Sequence, residues 1–296
     1  NILWPSVVRW YAKSSGTTND KSKFLPVTPE ILKGCHYKGG FDFVAIYLRN
    51  NPESRFFSKK GLILGGSHSP SPLNSEAHQG DLSAVLLQNL NPLVNLIRVP
   101  KKPIILMDEW ESKIKAIVEN TWNKDVNSLS GVPSWMLVLI KAVLKKTGRE
   151  YLTDVWPNLE VFFHGGISFE PYREQYKTLI PSNKMHYMET YNASEGFFGL
   201  QDDPTDSSLL MMPDYGIFYE FIPMNEVGNA HPTVLPLESV ETGKNYAMVI
   251  TTSGGLWRYQ IGDTVRFTSL FPHKFVISGR TKHFINAFGE ELMVDN

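Results

Sequence analysis

Ser14, Ser15, Thr17 and Thr18 stand around Gly16, and Lys23 closes the same short loop. Hydroxyls, backbone N–H groups turned outward at a glycine, and a lysine point charge are the groups that hold phosphate. Val7, Val8, Trp10 and Tyr11, just ahead, read as a strand that leads into the loop. A solvated Ser/Thr-rich turn has the same composition. The Gly-x-x-x-x-Gly-Lys-Ser/Thr spacing of nucleotide triphosphatases is absent. Taken alone, the loop leaves both readings open.

Three further segments carry chemistry. Glu189-Thr190-Tyr191-Asn192-Ala193-Ser194-Glu195-Gly196-Phe197-Phe198-Gly199 places the carboxylate of Glu195 in a glycine-flanked turn after a strand. Near phosphates a carboxylate is repelled unless a divalent cation bridges the two, so Glu195 reads as a Mg²⁺ ligand, with a solvated turn glutamate as the alternative. Leu256-Trp257-Arg258-Tyr259-Gln260-Ile261-Gly262-Asp263 reads as a strand ending in a Gly-Asp turn. An aspartate presented that way can accept both hydroxyls of a ribose, although Gly-Asp turns are common. Ser278-Gly279-Arg280-Thr281-Lys282-His283 is a basic turn that opens a new amphipathic stretch. His36, His68, His78 and His164 are possible bases, and scattered single histidines more often serve structure.

These residues need a scaffold. Gly61–Gly66 predicts a short buried strand, and Phe41–Leu48 fits helical and strand spacing equally. Helices are expected over Asp81–Leu90, over Asp108–Trp122 with Asp108 as cap, and over Pro133–Lys146 with Gly148 as stop. Trp135 and Met136 are expected in the helix core, and Phe197 and Phe198 fit either core or substrate pocket. Leu159–Phe163 reads as a strand entering the turn His164-Gly165-Gly166, followed by a helix over Glu170–Leu179. Such alternation predicts a mostly parallel α/β sheet. Beyond Asp203 the pattern changes to strands at Gly216–Ile222, Tyr246–Thr252, Leu256–Tyr259 and Thr264–Thr268, a β-rich subdomain. Ser67–Ser75 and Gln201–Ser208 are the expected linkers.

Composition excludes several classes. A net charge of −1 over 296 residues offers no electrostatic footprint for nucleic acid or an anionic membrane. Cys35 is the single cysteine, so no internal disulfide can form and a reducing, cytoplasmic setting is expected. No apolar run approaches the ~20 residues that span a bilayer. The chain opens at Asn1 and stops just after a structured-looking segment, which reads as a fragment.

In this order and spacing the four segments resemble the adenylate-forming superfamily of acyl-CoA synthetases, adenylation domains and luciferases. The likeness is greatest to the auxin-responsive (Gretchen Hagen type) acyl-acid amido synthetases. Ser14–Thr18, Tyr191–Gly199, Val249–Asp263 and Tyr219-Glu220-Phe221-Ile222-Pro223 carry it. The resemblance implies ATP and Mg²⁺ as cofactors, and a small-molecule carboxylic acid with an amino-acid acceptor as partners. By it, Ser14, Ser15, Gly16, Thr17, Thr18 and Lys23 form the phosphate loop, and Gly165 and Gly166 lie along the adenine. Tyr191 stacks on the base, Glu195 associates with the metal, and Asp263 binds the ribose beside Arg280. Thr281–His283 is then a hinge to a small C-terminal lid. The implied organisation is a nucleotide-binding core over 1–205, the β-rich subdomain over 206–278, and hinge and lid start over 279–296, with the rest of the lid and its adenylation lysine missing. An acyl-CoA ligase and an inactive nucleotide-binding module are the rival readings. Asn19-Asp20 departs from the glycine common in this loop and makes it stiffer and more acidic.

Overall fold

The computed structural model describes residues 7–14, 23–71 and 76–281, and the backbone of 284–287 and 290–293. Ser15, Gly16, Thr17 and Thr18 of the expected phosphate loop, and Lys282 and His283 of the expected hinge, lie outside the described residues. The chain packs as two compact units, one of residues 45–190 and one of residues 1–44 with 191–296. Their division falls within the long helix Lys38–Asn50 and the strand His186–Ala193.

Residues 45–190 build the parallel half. The strands Arg98–Val99, Lys60–Ile63, Val126–Gly131, Val161–Gly165 and the first part of His186–Ala193 lie side by side in that order, every pair parallel. Val161, Phe162 and Phe163 are all buried, as a parallel strand covered on both faces requires. Their core is closed by Ile117 of the helix Trp110–Thr121 and by Ile140 and Val143 of the helix Pro133–Thr147, against Leu62, Leu129 and Phe162 of the strands. Met136 is buried in this core and Trp135 packs against it. Pro133 opens its helix, and Gly148 closes it with φ 64°, a left-handed stop that glycine adopts without penalty.

Local chemistry corrects several sequence expectations here. Glu109, not Asp108, caps the helix Trp110–Thr121, its carboxylate accepting the N–H groups of Glu111 at 2.9 Å and Ser112 at 2.7 Å. The helix expected over Asp81–Leu90 spans Leu82–Asn89, and the Asp81 side chain ahead of it accepts the N–H of Ser67 at 3.0 Å. Phe41–Leu48, ambiguous by spacing, is helical. Within the expected linker Ser67–Ser75, His68–Pro70 is a strand paired antiparallel with His78–Gly80. The expected helix Glu170–Leu179 starts as a 3₁₀ turn and becomes α-helical at Arg173.

The other unit is antiparallel. Leu235–Pro236, Ile217–Pro223, Asn245–Thr252, Tyr259–Leu270, His273–Arg280, Leu209–Met211 and Gly196–Leu200 are neighbours in that order. Trp10–Ser14 and Lys23–Pro26 pair as a hairpin whose last register pair is Ser14 with Lys23. Two expected strands merge: Thr264–Thr268 continues from Tyr259 as one strand to Leu270, and Leu256–Arg258 is not strand. Gly262 adopts φ 94° inside it, and the pairing slips between Ala247 and Val249, so the sequence signal of a turn is a bulge. Asp263 therefore sits within a strand, not in a Gly-Asp turn.

Candidate functional site

The paired strands Trp10–Ser14 and Lys23–Pro26 present Ser14 and Lys23 at the ends next to residues 15–22, and both reach residues far along the chain. Ser14 Oγ donates to Glu195 Oε1 at 3.0 Å, and Ser194 Oγ donates to Lys13 O at 3.2 Å. Lys23 Nζ donates to the Tyr259 hydroxyl at 3.0 Å and lies 5.1 Å from that ring's centre. The turn after Ala193 and the start of the strand Tyr259–Leu270 are thus fastened to the two strands that flank residues 15–22.

Glu195 is 6% exposed. Burial raises its carboxyl above the usual range, opposed by the bond from Ser14 and the charge of Lys23. A buried carboxylate bonded by a hydroxyl and within the field of a lysine is a place where a cation would be electrostatically favoured. Among the described residues no three of His, Cys, Asp and Glu gather to hold a metal. Mg²⁺ does not need them, since it takes one or two carboxylates with water and substrate phosphates. Glu195 with Ser14 fits that kind of donor set.

A second cluster surrounds Asp263. Its Oδ1 forms an ion pair with Arg280 Nε at 3.0 Å, and its Oδ2 accepts from the Tyr191 hydroxyl. Asp263 and Arg280 are direct partners across their strands, while Tyr191 comes from the strand His186–Ala193. Burial raises the Asp263 carboxyl, and the Arg280 charge and the Tyr191 bond oppose it. Burial, reinforced by Asp263, pushes the Tyr191 phenol far up, so it stays a donor. The Asp263 charge also raises the Glu195 carboxyl, so the two clusters act on one another. Thr281 N–H and Oγ1 donate to Gly262 O at 2.8 and 3.3 Å, tying down the chain where Arg280 leaves its strand.

Gly165 and Gly166 belong to the parallel unit. A Cβ on Gly165 would stand 2.4 Å from Thr190 O, and Gly166 has φ 85°, so the strand end demands both glycines. His164 before them is buried, stacks on Phe169 at 4.3 Å and titrates at about 3 because burial disfavours its charge.

The structure therefore brings Ser14, Lys23, Tyr191, Glu195, Asp263 and Arg280 together within one unit. Sequence reasoning missed their supports. His36 and Cys35 lie on a π-helical turn, Leu32–Tyr37, a form that recurs at functional sites. His36 Nδ1 is 2.9 Å from Asn192 Oδ1, Cys35 Sγ accepts the Phe197 N–H at 3.1 Å, and Gly39 leaves room for the Phe197 ring. Together they hold the Glu195 turn on both sides. Burial lowers His36 to about 4, which makes it a neutral positioning group rather than a base at neutral pH. Phe197 and Phe198, 2% and 0% exposed, are core. Asn192 and Tyr259 stood inside the quoted motifs, but no spacing rule announces their partners.

The acyl acid amido synthetase AtGH3.15, solved with 2,4-DB, superposes at a TM-score of 0.75 over 95% of this chain and 57% of that one, with 18% identity. A 2-hydroxyisobutyryl-CoA ligase solved with 2-HIB-AMP and CoA superposes at 0.62 over 95% of this chain and 54% of its own, with 13% identity. Residues 1–185 match the GH3 family N-terminal domain and residues 210–280 the GH3 family central domain, so the chain belongs to the GH3 family. It is similar to the indole-3-acetic acid-amido synthetase GH3.4 of Arabidopsis thaliana, 30% identical over 170 residues, which cover 54% of this chain and 27% of that protein. It is also similar to the indole-3-acetic acid-amido synthetase GH3.8 of Oryza sativa subsp. indica, 37% identical over 128 residues, which cover 40% and 20%. The matches thus span about a quarter of these relatives. Among the described residues no helix is long and apolar enough to cross a membrane.

Proposed function

We propose that this chain is the nucleotide-binding part of an acyl-acid amido synthetase, which activates a carboxylic acid with ATP and passes the acyl group to an amino acid. One observation carries the reading: Ser14, Glu195 and Asp263, from three separate motifs, fold into one unit in which the first two are bonded and the last two interact electrically. The substrate carboxylate attacks the α-phosphorus of ATP, pyrophosphate leaves, and the acyl-adenylate forms. The amine of the acceptor then attacks the acyl carbon, AMP leaves with the bonding pair, and the amine proton goes to solvent or base.

In this reading the protein mainly positions groups and compensates charge. Asp263 receives the ribose, with Arg280 beside it. Ser14 and Lys23 flank the phosphates together with Ser15, Gly16, Thr17 and Thr18. Glu195 holds Mg²⁺, which when bound neutralises phosphate charge and steadies the leaving pyrophosphate. The chain after Gly279 serves as hinge, with Thr281 pinned to Gly262, and leads to a lid; 1–205 and 206–278 serve as core and β-rich subdomain. A reducing compartment such as the cytoplasm suits the buried thiol of Cys35.

Pyrophosphate release by the full-length protein, measured over a panel of carboxylic acids with and without amino acids, tests this. Acid-dependent release with amide product supports it. Transfer to CoA instead would make it a thioester-forming ligase. No acid-dependent release, with AMP still bound, would make it a nucleotide-binding module.

A further inference from the structure

We propose that a cleft at the starting end of the parallel strands, in the unit of residues 45–190, binds a free amino acid with an apolar side chain. Its volume is about 680 Å³, within the ~300–1,000 Å³ of small-molecule sites. It lies where the helix Trp110–Thr121 passes into Trp122, where the helix Pro133–Thr147 ends, and beside the short helix Leu152–Val155. Asp125 and Asn158, both in its lining, lead into the strands Val126–Gly131 and Val161–Gly165. Gly165 and Gly166 stand at the opposite end of the second strand, so the cleft is a separate place from that glycine turn. It has no part in the reaction proposed above and does not depend on it.

The charges of the cleft are of two kinds. Some are spent within the protein: Asp125 pairs with Lys59 and accepts from Asn158 Nδ2 at 2.8 Å, and Lys146 Nζ pairs with Glu119 at 2.6 Å. Lys124, Arg149 and Asp154 are not. All three are exposed in the lining, and among the described residues none of their side chains makes a hydrogen bond or an ion pair. A simple anion would satisfy the two cations and be repelled by Asp154, and a simple cation would meet the reverse. A zwitterion satisfies both, with its carboxylate toward Lys124 and Arg149 and its ammonium toward Asp154. The C-terminal ends of the two long helices add partial negative charge that also favours an ammonium. An apolar surface completes the fit. Trp122 is 40% exposed, and Val155 and Pro157 line the cleft with it. An indole left that open beside the charges is a surface on which an apolar side chain sheds its hydration. A bare carboxylic acid lacks the ammonium, and a hydrophilic amino acid gains nothing from Trp122.

The full-length protein is titrated calorimetrically, without ATP, with L-phenylalanine, with N-acetylphenylalanine, which has no ammonium, and with phenylalaninamide, which has no carboxylate. Wild type should bind phenylalanine, and bind the acetyl derivative about fivefold and the amide about tenfold more weakly, the scale of one and two exposed ion pairs. Asp154→Asn should weaken phenylalanine about fivefold and should not weaken N-acetylphenylalanine. Lys124→Gln combined with Arg149→Gln should weaken phenylalanine about tenfold and should not weaken phenylalaninamide. The substituted side chains are exposed, so the variants should keep the wild-type Tm. Unchanged phenylalanine binding in both variants would place the amino acid elsewhere, at an acceptor position of the proposed reaction, and refute the cleft site. Equal losses for all three compounds would make the effect structural and overturn it as well. So would a wild type that shows no binding of phenylalanine up to about 10 mM. None of these results bears on acid-dependent pyrophosphate release, which keeps this site and the adenylation reading separately testable.

Discussion

Replacing Glu195 with glutamine separates its charge from its shape. Glutamine keeps an oxygen that can accept from Ser14 Oγ, so the 3.0 Å contact survives and only its ionic component is lost. Hydrogen bonds to charged groups contribute about 1.5–3 kcal/mol against about 0.5–1.5 for neutral ones, so the bond weakens by about 1 kcal/mol. Removing a 6% exposed charge relieves a desolvation cost of the opposite sign, and fold stability should move by no more than about 1 kcal/mol, a few degrees in Tm at most. The effect on the ligand is larger. Charges about 4 Å apart interact by about 4 kcal/mol at an effective dielectric of about 20. If half of that is offset by the water that replaces the carboxylate on the ion, about 2 kcal/mol remains, or about 30-fold in affinity. Calorimetric titration of Mg·ATP into Glu195→Gln should show that loss, and AMP with EDTA should bind nearly as to wild type. Equal losses under both conditions would refute the metal assignment. A fall in Tm of many degrees would show that Glu195 serves the turn instead.

Asp263→Ala should cost at least about tenfold in AMP affinity by calorimetry, since two charged hydrogen bonds are lost; unchanged affinity in a folded variant removes the ribose assignment. Gly39→Ala would gain up to about 1 kcal/mol from helix propensity, yet its Cβ would stand 2.6 Å from Cγ of the buried Phe197, so chemical denaturation should show a net loss of about 1–3 kcal/mol; a net gain would contradict the packing under the Glu195 turn. Burial, outweighing the Arg173 charge, pushes the Glu189 carboxyl up to about 7, well above the usual carboxylate range near 4.5. The folded state therefore holds its proton more tightly than the unfolded chain, and the stability this contributes is complete below about pH 4.5 and lost as pH rises through about 7. Glu189→Gln should match wild type near pH 4.5 and exceed it at pH 8 by up to about 3 kcal/mol in denaturation; equal stability at pH 8 would refute the shift.

Elements whose cause is local were legible. Pro133 and Gly148 bracket their helix, and the run Val161-Phe162-Phe163 marks a strand buried on both faces. Where two neighbouring groups compete for one task, sequence was a poorer guide, as with Asp108 and Glu109 at a helix start. Gly262 misled because one positive-φ residue serves a turn and a bulge equally well, and only pairing with Asn245–Thr252 and His273–Arg280 decides between them. His36 was visible but unassigned, since what it does depends on Asn192, 156 residues away.

The sequence by itself determined the family likeness, the α/β half followed by a β-rich half, and the identities of Ser14, Lys23, Tyr191, Glu195, Asp263 and Arg280 as candidates. Residue type and short spacing suffice for that, because they set backbone preference and available chemistry. Tertiary structure alone decided which candidates meet. It joined Ser14 to Glu195 across 181 residues and set Tyr191 and Arg280 on opposite oxygens of Asp263. It also buried the Tyr191 ring and bonded its hydroxyl to Asp263. Strand order and register fix those contacts, and both depend on pairing between segments far apart in the chain, which no local pattern encodes.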